Sequence, residues 1–358
     1  MQADTPDSAR HPFETLQPDV VLDALASVGF YGDGRLTALS SYENRVYQVR
    51  LEDGSLVVAK FYRPGRWSDA QIAEEHAFAA ELVAAEVPVV APLVAAGTTL
   101  HHHAGFVFSV SPNRGGRPPE LDDFDVLEWI GRFIARLHTV GSARPFVHRP
   151  ALDLQTFATE PRAWLQSHDF IPLDVRGDWD RAVEIAINSI ASSRLSALAP
   201  ATSDDEEDAY SDGPPEGPLP MAAIRLHGDC HPGNILWTPS DQAGGGPHFV
   251  DLDDARTGPA VQDLWMLLSG DRGQRTRQLS ALVDGYEEVR RFDRRELALI
   301  EPLRTLRLLH YSAWLARRWD DPIFAINFPW FGSSDYWRGQ VRMLEEQVEA
   351  MAEDPLSV

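Results

Sequence analysis

The residues best suited to chemistry lie in one polar run, positions 226–236, with the sequence LHGDCHPGNIL. Within it, Asp229 and Asn234 stand five residues apart. A positioned carboxylate can accept a proton from a hydroxyl group, and an asparagine oxygen can bind a hard cation such as Mg²⁺. Apolar residues on both sides predict two short strands, so the run should form a loop whose two ends are fixed.

A second acidic run follows at positions 249–254, with the sequence FVDLDD. Alternate side chains of a strand point to the same face, so we expect Asp251 and Asp253 to lie on one side. Beside Asn234 they would supply carboxylate oxygens for Mg²⁺, with Asp251 as a ligand and Asp253 as a second ligand or a loop anchor. The alternative is an acidic strand end in solvent, which the loop that precedes it disfavours.

The five-residue spacing is that of the protein-kinase catalytic loop, in which the aspartate receives the acceptor's proton and the asparagine binds Mg²⁺. Lys60 fits the same scheme. It lies in a predicted third strand, ahead of a helix with Glu74 and Glu75, as the phosphate-holding lysine and its carboxylate partner do in kinases. It is also the one lysine beside 31 arginines, which indicates a position that requires a compact ammonium group. These residues predict ATP-dependent phosphoryl transfer.

Composition excludes several other classes of protein. A net charge of −22 argues against nucleic acid as the main ligand. The sequence has no run approaching the roughly 20 apolar residues that cross a bilayer, and its first residues lack a secretory signal. Cys230 is the single cysteine, so no intramolecular disulfide can form. We expect a cytoplasmic monomer without a membrane or nucleic-acid partner.

The elements that must hold Lys60 are five predicted strands and one helix. The strands cover residues 34–40, 45–50, 56–62, 93–100 and 105–110, and Asp53-Gly54 is a hairpin turn signal. The helix begins after an N-cap at Ser68 and runs to about Ala85, before Pro88. A polar, glycine-rich crossover follows at 111–118. We therefore predict an N-lobe over residues 1–112, which includes an N-terminal extension.

The elements that must hold Asp229 are mainly helical. We predict a helix over residues 125–137 with Gly141 as its stop, a second helix from about Arg176 to Leu195, and helices from Val261 onward. Short strands are expected at 223–226, 235–238 and 248–252. Residues 200–220 carry seven acidic residues and no basic one, which predicts a disordered insert that serves as a surface tether or, alternatively, as a phosphoacceptor or interaction tail. The prediction is an α+β, two-lobed, protein-kinase-like fold: a small five-stranded N-lobe and a mostly helical C-lobe over residues 113–358.

Longer runs make a family resemblance specific. They are SYENRVY at 41–47, VAKFYRPGRW at 58–67, EEH at 74–76, LHGDCHPGNILW at 226–237, FVDLDDARTGPAVQDLW at 249–265 and NFPW at 327–330. With them the chain resembles the stress response kinase A family, bacterial Ser/Thr protein kinases with an aminoglycoside-phosphotransferase-like fold. The resemblance implies that Asp229 is the catalytic base, that Asn234 and the catalytic Asp251 bind Mg²⁺, and that Lys60 contacts the α- and β-phosphates of ATP.

The resemblance implies three further roles. Ser41 would lie in the turn that covers the nucleotide, and Asp263 would steady the catalytic loop through backbone amides. Glu75 is favoured as the partner of Lys60 because it stands 13 residues before Pro88, the separation usual in aminoglycoside-kinase-like sequences, and Glu74 stays open as the alternative. One departure from the kinase pattern is that SSYEN at 40–44 replaces a G-x-G-x-x-G loop, so the cover over the phosphates is bulkier.

Other polar groups have simpler interpretations. The run HHH at 101–103 predicts a hairpin turn rather than a metal site. Cys230 is expected to fill space in a tight loop, since no separate base can be assigned to activate it. The segment 303–319 carries four arginines, of which one could meet an acidic substrate.

The function predicted from the sequence is an ATP- and Mg²⁺-dependent Ser/Thr protein kinase, with the chain itself among its candidate substrates. The first alternative is a small-molecule hydroxyl kinase of the aminoglycoside or choline kinase type, which would use the same active-site residues. The second is a non-catalytic nucleotide-binding scaffold, which the joint presence of Lys60, Asp229, Asn234 and Asp251 disfavours.

Overall fold

The computed structural model describes residues 11–200, 221–239, 242 and 244–358. The chain forms two compact units, Met1–Gly116 and Arg117–Val358. The first is built on a five-stranded sheet and the second is mostly helical, which confirms the predicted α+β class. The predicted insert lies outside the described residues except for Pro200, which ends a short strand.

The sheet of the first unit is entirely antiparallel, in the order β1-β2-β3-β5-β4. Its strands are β1 (Gly32–Ala38), β2 (Arg45–Leu51), β3 (Leu56–Phe61), β4 (His101–His103) and β5 (Phe106–Pro112). The β2–β3 hairpin turns where it was predicted, and Gly54 has the positive φ of 88° that favours glycine there. β3 therefore lies inside the sheet, between β2 and β5.

The predicted fourth strand at 93–100 is wrong. That segment contains only an isolated bridge between Ala95 and Thr98, because Ala96 and Gly97 both take positive φ values and reverse the chain at once. The fourth strand is instead β4, which occupies the histidine run expected to be a turn. The turn itself lies at Ala104-Gly105, where φ is 48° and 83°.

Two helices accompany the sheet. The first, α1 (Pro18–Ala26), was not predicted, and it buries Val21, Ala24 and Leu25 in the cluster of apolar residues that includes Phe61. The second, α2 (Asp69–Ala84), begins as predicted after Ser68, which forms a capping box with Gln71. Such a cap satisfies backbone N–H groups that the first turn of a helix leaves without partners.

The second unit contains eight α-helices and five short strands among its described residues. The helices are α3 (Phe124–Ser142), α4 (Glu160–Ser167), α5 (Leu173–Ala191), α6 (Gln262–Trp265), α7 (Arg272–Glu287), α8 (Ile300–Ala316), α9 (Phe324–Asn327) and α10 (Ser334–Ala352). The strands are β6 (Leu198–Pro200), β7 (Met221–Leu226), β8 (Ile235–Thr238), β9 (Gly246–Phe249) and β10 (Arg256–Gly258). They form the sheet β10-β7-β6 and the hairpin β8-β9.

Gly141 is not the stop of a helix, because α3 continues through it to Ser142. A Cβ atom at Gly141 would lie 2.1 Å from the carbonyl oxygen of Arg225 in β7, and one at Gly131 would lie 2.0 Å from that of Leu282 in α7. Both glycines therefore serve close packing of α3 against its neighbours. Since β7 leads directly into the polar run at 226–236, this packing bears on the site.

Candidate active site

The loop between β7 and β8 carries Asp229 and Asn234. The side-chain amide of Asn234 donates to the main-chain oxygen of Asp229 at 2.9 Å and lies 3.4 Å from its carboxylate Oδ2. Residues 232–234 form a short 3-10 turn in which the ring of His231 accepts from the Gly233 amide at 2.9 Å. With its Nδ2 directed at Asp229, Asn234 presents its Oδ1 as the atom able to bind a cation.

Asp263, in α6, holds the start of this loop. Its Oδ2 accepts from the His227 amide at 2.8 Å and its Oδ1 accepts from the Gly228 amide at 2.9 Å. Gly228 has φ of 84°, and a Cβ there would lie 2.2 Å from the main-chain oxygen of Asp254, so the loop requires glycine. The backbone-amide contacts that the resemblance implied for Asp263 are present.

A buried histidine that sequence reasoning missed completes this support. His138 contacts the Asp263 carboxylate through Nε2 at 3.0 Å and the Tyr286 hydroxyl through Nδ1 at 3.0 Å. Burial would raise the pKa of Asp263, but the hydrogen bonds from His138 and the Gly228 amide bring it below its usual value. Burial lowers the pKa of His138, because it disfavours the charged imidazolium. We read the pair as a carboxylate hydrogen-bonded to a neutral imidazole. The available signal was a histidine on the buried face of an amphipathic helix.

Asp251 lies just past the end of β9, which stops at Phe249, and not on a strand. It has left-handed backbone angles of φ 60° and ψ 63°, and residues 252–254 form a 3-10 turn. The prediction that Asp251 and Asp253 share one strand face is therefore wrong: Asp251 is exposed and Asp253 is 3% exposed. A left-handed non-glycine residue costs free energy and is often found at functional positions.

Val250 joins the Asp251 segment to the catalytic loop. Its amide donates to the main-chain oxygen of Asn234 at 3.0 Å, and the His227 ring contacts its carbonyl oxygen at 3.0 Å. On the other side, the buried guanidinium of Arg149 donates to the main-chain oxygens of Asp253 and, at 2.8 Å, Ala255. These backbone hydrogen bonds hold the segments of Asn234 and Asp251 next to each other.

This donor set suits Mg²⁺, which prefers one or two carboxylates together with phosphate oxygens and water. Asp251 offers an exposed carboxylate and Asn234 an oriented amide oxygen, whereas Asp253 is buried. In the part of the chain that the structure describes, no group of three or more His, Cys, Asp or Glu side chains is arranged to hold a metal ion, and the histidines at 101–103 form no such group either.

Two neighbours of Asp229 have contrasting chemistry. Burial raises the pKa of the Cys230 thiol well above its usual value, and the carboxylates of Asp263 and Asp229 raise it further. A protonated, buried thiol is a poor nucleophile, as its expected space-filling role requires. Arg307, from α8, donates to Asp229 Oδ1 at 2.7 Å. The sequence could not select this arginine, because the two residues stand 78 positions apart.

The first unit holds the other predicted site residues. Lys60, half-buried in β3, pairs across the sheet with Val46 and Ser109, and its ammonium lies 5.2 Å from the centre of the Tyr62 ring. In α2, Glu75 is buried, with one carboxylate oxygen 3.8 Å from His76 Nε2, whereas Glu74 is half-buried.

Ser41 is half-buried in the turn between β1 and β2. That turn contacts the segment after β3. Asn44 Oδ1 accepts from the Arg63 amide at 3.0 Å, and Glu43 lies 3.9 Å from Arg63 and 3.8 Å from Arg66. The turn that replaces a glycine-rich loop is therefore held by side chains.

Comparison with known proteins identifies the family of the chain. A family model described as the phosphotransferase enzyme family matches residues 35–300. Stress response kinase A of Escherichia coli is 45% identical over 346 residues, which is 97% of each chain. The serine/threonine protein kinase RdoA of Salmonella typhimurium is 46% identical over the same share of both chains.

Solved structures share the fold at lower identity. An amicoumacin kinase in complex with AMP-PNP superposes with a TM-score of 0.67 at 17% identity, over 95% of this chain and 94% of that one. A microcompartment-associated aminopropanol kinase gives a TM-score of 0.65 at 20% identity, over 93% and 98%. Among the described residues, none of the helices has the length and apolar character needed to span a membrane.

Sequence similarity defines a kinase. The chain belongs to the stress response kinase A family within the phosphotransferase enzyme family. It is therefore an enzyme rather than the scaffold considered as a sequence-based alternative.

Proposed function

We propose that this kinase is an ATP- and Mg²⁺-dependent Ser/Thr protein kinase that acts as a cytoplasmic monomer in a stress response. The observation that carries the proposal is the Asp229–Asn234 loop, held by Asp263 and joined through Val250 to Asp251. The names of the relatives support protein hydroxyls as acceptors and a link to stress.

Several residues would bind the nucleotide in this proposal. Lys60 would hold the α- and β-phosphates, with Glu75 orienting it, and the turn that contains Ser41 would cover them. Asn234 Oδ1 and the Asp251 carboxylate would hold Mg²⁺, which when bound neutralises phosphate charge. The oriented amide of Asn234 and the exposed carboxylate of Asp251 support this assignment.

The chemical step needs one proton acceptor from the protein. The Asp229 carboxylate takes the proton of the Ser or Thr hydroxyl while the hydroxyl oxygen forms a bond to the γ-phosphorus of ATP. The bond between that phosphorus and the β,γ-bridging oxygen breaks, and ADP leaves with the electron pair. Phosphoryl transfer demands positioning more than covalent work from the protein, which suits a loop fixed by backbone hydrogen bonds.

The second candidate is a small-molecule hydroxyl kinase. It is favoured by the structural neighbours with TM-scores above 0.6, whose names refer to amicoumacin and aminopropanol. Because the same residues would catalyse both reactions, the acceptor decides between them.

The decisive experiment supplies γ-labelled ATP and Mg²⁺ to the full chain with general protein substrates or with a panel of amino alcohols, sugars and aminoglycosides. We expect label on Ser or Thr of protein, the chain itself included. Label transferred to a metabolite and to no protein would reject the protein-kinase proposal. The Asp229→Ala variant serves as the background for both arms.

A further inference from the structure

A cavity beside the catalytic loop has not been used by the function proposed so far. Its volume is about 530 Å³ and it lies within the second unit. Its lining residues are His231, Trp265, Met266, Arg304, Arg307, Leu308 and Tyr311. The last four belong to α8 at spacings of three, four and seven residues, so they share one face of that helix.

Basic side chains line the cavity although the chain carries a net charge of −22. Two arginines line it and none of its lining residues is acidic. Arg304 is paired with the Glu301 carboxylate at 3.0 Å and lies over the Trp265 ring. The positive charge of Arg307 is directed instead at the catalytic loop. If Arg307 is released from Asp229, its charge would favour an anionic acceptor over a cationic one in this cavity.

Arg307 is engaged with the base itself. Its Nη1 lies 2.7 Å from Asp229 Oδ1, and its side chain is 45% exposed. Among the described residues, Asp229 supplies the one carboxylate within ion-pair distance of Arg307. The other oxygen of Asp229 faces His231 Nε2 at 3.5 Å and the Asn234 amide at 3.4 Å.

This arrangement conflicts with proton acceptance. The guanidinium occupies Oδ1, the oxygen that an acceptor hydroxyl would approach. Arg307 holds Asp229 through Nη1 alone. A carboxylate on the acceptor would offer the guanidinium a second partner, which it could bind in planar, bidentate geometry. Arg307 could then turn from Asp229 to the acceptor and leave Oδ1 to the hydroxyl.

We propose that the acceptor of this kinase carries carboxylate groups next to its hydroxyl, as in an acidic protein segment, and that Arg307 is the specificity-determining residue that binds them. The inference rests on the proposed protein-kinase function and adds the class of substrate. It also gives the partial exposure of Arg307 a role, because a residue that exchanges partners must be able to move.

The test uses three synthetic peptides of equal length with one serine each. The serine is flanked by Asp and Glu, by Asn and Gln, or by Lys and Arg. The measured quantity is the ratio of kcat/KM values between peptides for one enzyme preparation, because this ratio cancels any general effect of a variant on Asp229 or on the active fraction. We expect the wild-type chain to favour the acidic peptide over the neutral one by about fivefold, and to use the basic peptide least.

Two variants of Arg307 test whether the charge at this position determines the peptide preference. Arg307→Gln should bring the acidic-to-neutral ratio to about 1, and Arg307→Glu should reverse the preference toward the basic peptide. The matched control is Arg317→Gln, an exposed arginine ten positions further along the same sequence segment and outside the cavity lining, which should keep the wild-type ratio. Thermal unfolding curves check that each variant is folded.

The outcomes distinguish the two proposals. Serine phosphorylation without acidic preference, or an acidic preference that Arg307→Gln leaves intact, would overturn the role of Arg307 while the protein-kinase function stands. If none of the peptides is phosphorylated while a metabolite is, the proposed function fails and this inference fails with it. A ratio that falls to about 1 in Arg307→Gln and reverses in Arg307→Glu supports both.

Discussion

The catalytic loop of the second unit and the turn that contains Ser41 in the first unit are held in different ways. The loop is held by Asp263, which is fully buried and accepts backbone hydrogen bonds of 2.8 and 2.9 Å. The turn is supported by Asn44, which accepts from the Arg63 amide at 3.0 Å, and by Glu43, which lies 3.8 and 3.9 Å from two arginine side chains. One buried carboxylate thus fixes two adjacent amides of the loop, whereas the turn combines one backbone bond with longer contacts between charged side chains.

The contrast matches the two tasks we propose. The groups that act on the transferred phosphoryl need a fixed geometry, because a misplacement of about 1 Å can cost on the order of 10²-fold in rate. A turn that covers a nucleotide must open and close around it. Variants in each region should therefore differ in which kinetic constant they change.

The largest effect is expected from Asp229→Ala, which removes the base and leaves the contacts of Asp263 in place. Turnover should fall by roughly 10²–10⁴-fold while nucleotide binding persists. Steady-state kinetics and ATP titration calorimetry measure the two quantities. Asp335→Ala, at a carboxylate whose side chain is 96% exposed, is the control and should be neutral. Near-full activity of Asp229→Ala would remove Asp229 as the base.

Lys60→Arg tests the nucleotide contact of the first unit while it keeps the positive charge of the side chain. A planar guanidinium cannot replace a compact ammonium at a phosphate inside the sheet, so kcat/KM for ATP should fall by about 10–10²-fold. Arg35→Lys, an exposed exchange of the opposite kind on β1, should change kcat/KM little. Wild-type ATP affinity and turnover in Lys60→Arg would mean that the single lysine has no role in nucleotide use.

Asp263→Asn tests whether buried backbone contacts fix the loop. One oxygen becomes an NH₂ group, so a buried amide of His227 or Gly228 loses its acceptor. We expect a loss of about 1–3 kcal/mol in the free energy of unfolding and about a tenfold fall in kcat, with a smaller change in KM for ATP. Denaturant unfolding and kinetics check both. A variant with changed KM and unchanged kcat would contradict the assignment.

Glu43→Gln is the counterpart in the turn. Glutamine keeps the size of the side chain and removes its charge beside Arg63 and Arg66, so we expect a change of a few fold in KM for ATP, with kcat retained. A fall in kcat as large as that of Asp263→Asn would show that the two regions are held equally firmly, and the comparison would fail.

The smallest effect on activity is expected at Glu296. Its carboxyl accepts from the Val261 amide at 2.8 Å at the start of α6, the helix that carries Asp263. Burial raises the pKa of Glu296 to about 8, so it is mostly protonated in the folded chain at pH 7. The stability that this protonated state contributes is fully present below the unfolded pKa of about 4.3 and is lost as the pH rises to about 8.

Glu296→Gln imitates the protonated form at every pH. Its unfolding free energy should rise relative to that of wild type between pH 5 and pH 8, by a few kcal/mol, because each pKa unit corresponds to about 1.4 kcal/mol. Measuring both proteins at each pH cancels the titration of all other groups. A difference that is constant with pH would contradict the raised pKa.

Sequence reasoning succeeded where the signal was local. The hairpin at Asp53-Gly54 and the N-cap at Ser68 follow from neighbouring residues, and the loop from 226 to 236 is bounded by its own strands. The family resemblance extended this to Asp263. None of these features requires knowledge of distant contacts.

It failed where distant segments decide the geometry. Gly141 resembled a helix stop because the carbonyl of Arg225, which excludes a side chain there, is 84 positions away. β4 forms on histidines because β5 offers it a partner strand, and Asp251 leaves the strand because Arg149 draws in the carbonyls that follow it. The contacts of His138 with Asp263 and of Arg307 with Asp229 span 125 and 78 positions.

The close approach of Gly141 to β7 has a consequence for how this sequence can change. Even alanine at 141 would place a methyl group at 2.1 Å from the carbonyl of Arg225, and β7 continues through Leu226 into the amides that Asp263 holds. The absence of a Cβ atom at Gly141 therefore allows α3 to lie this close to β7 and to the catalytic loop. Substitution, in evolution or by design, is constrained at this position by the spacing of the backbone, although no functional group is present there to mark it.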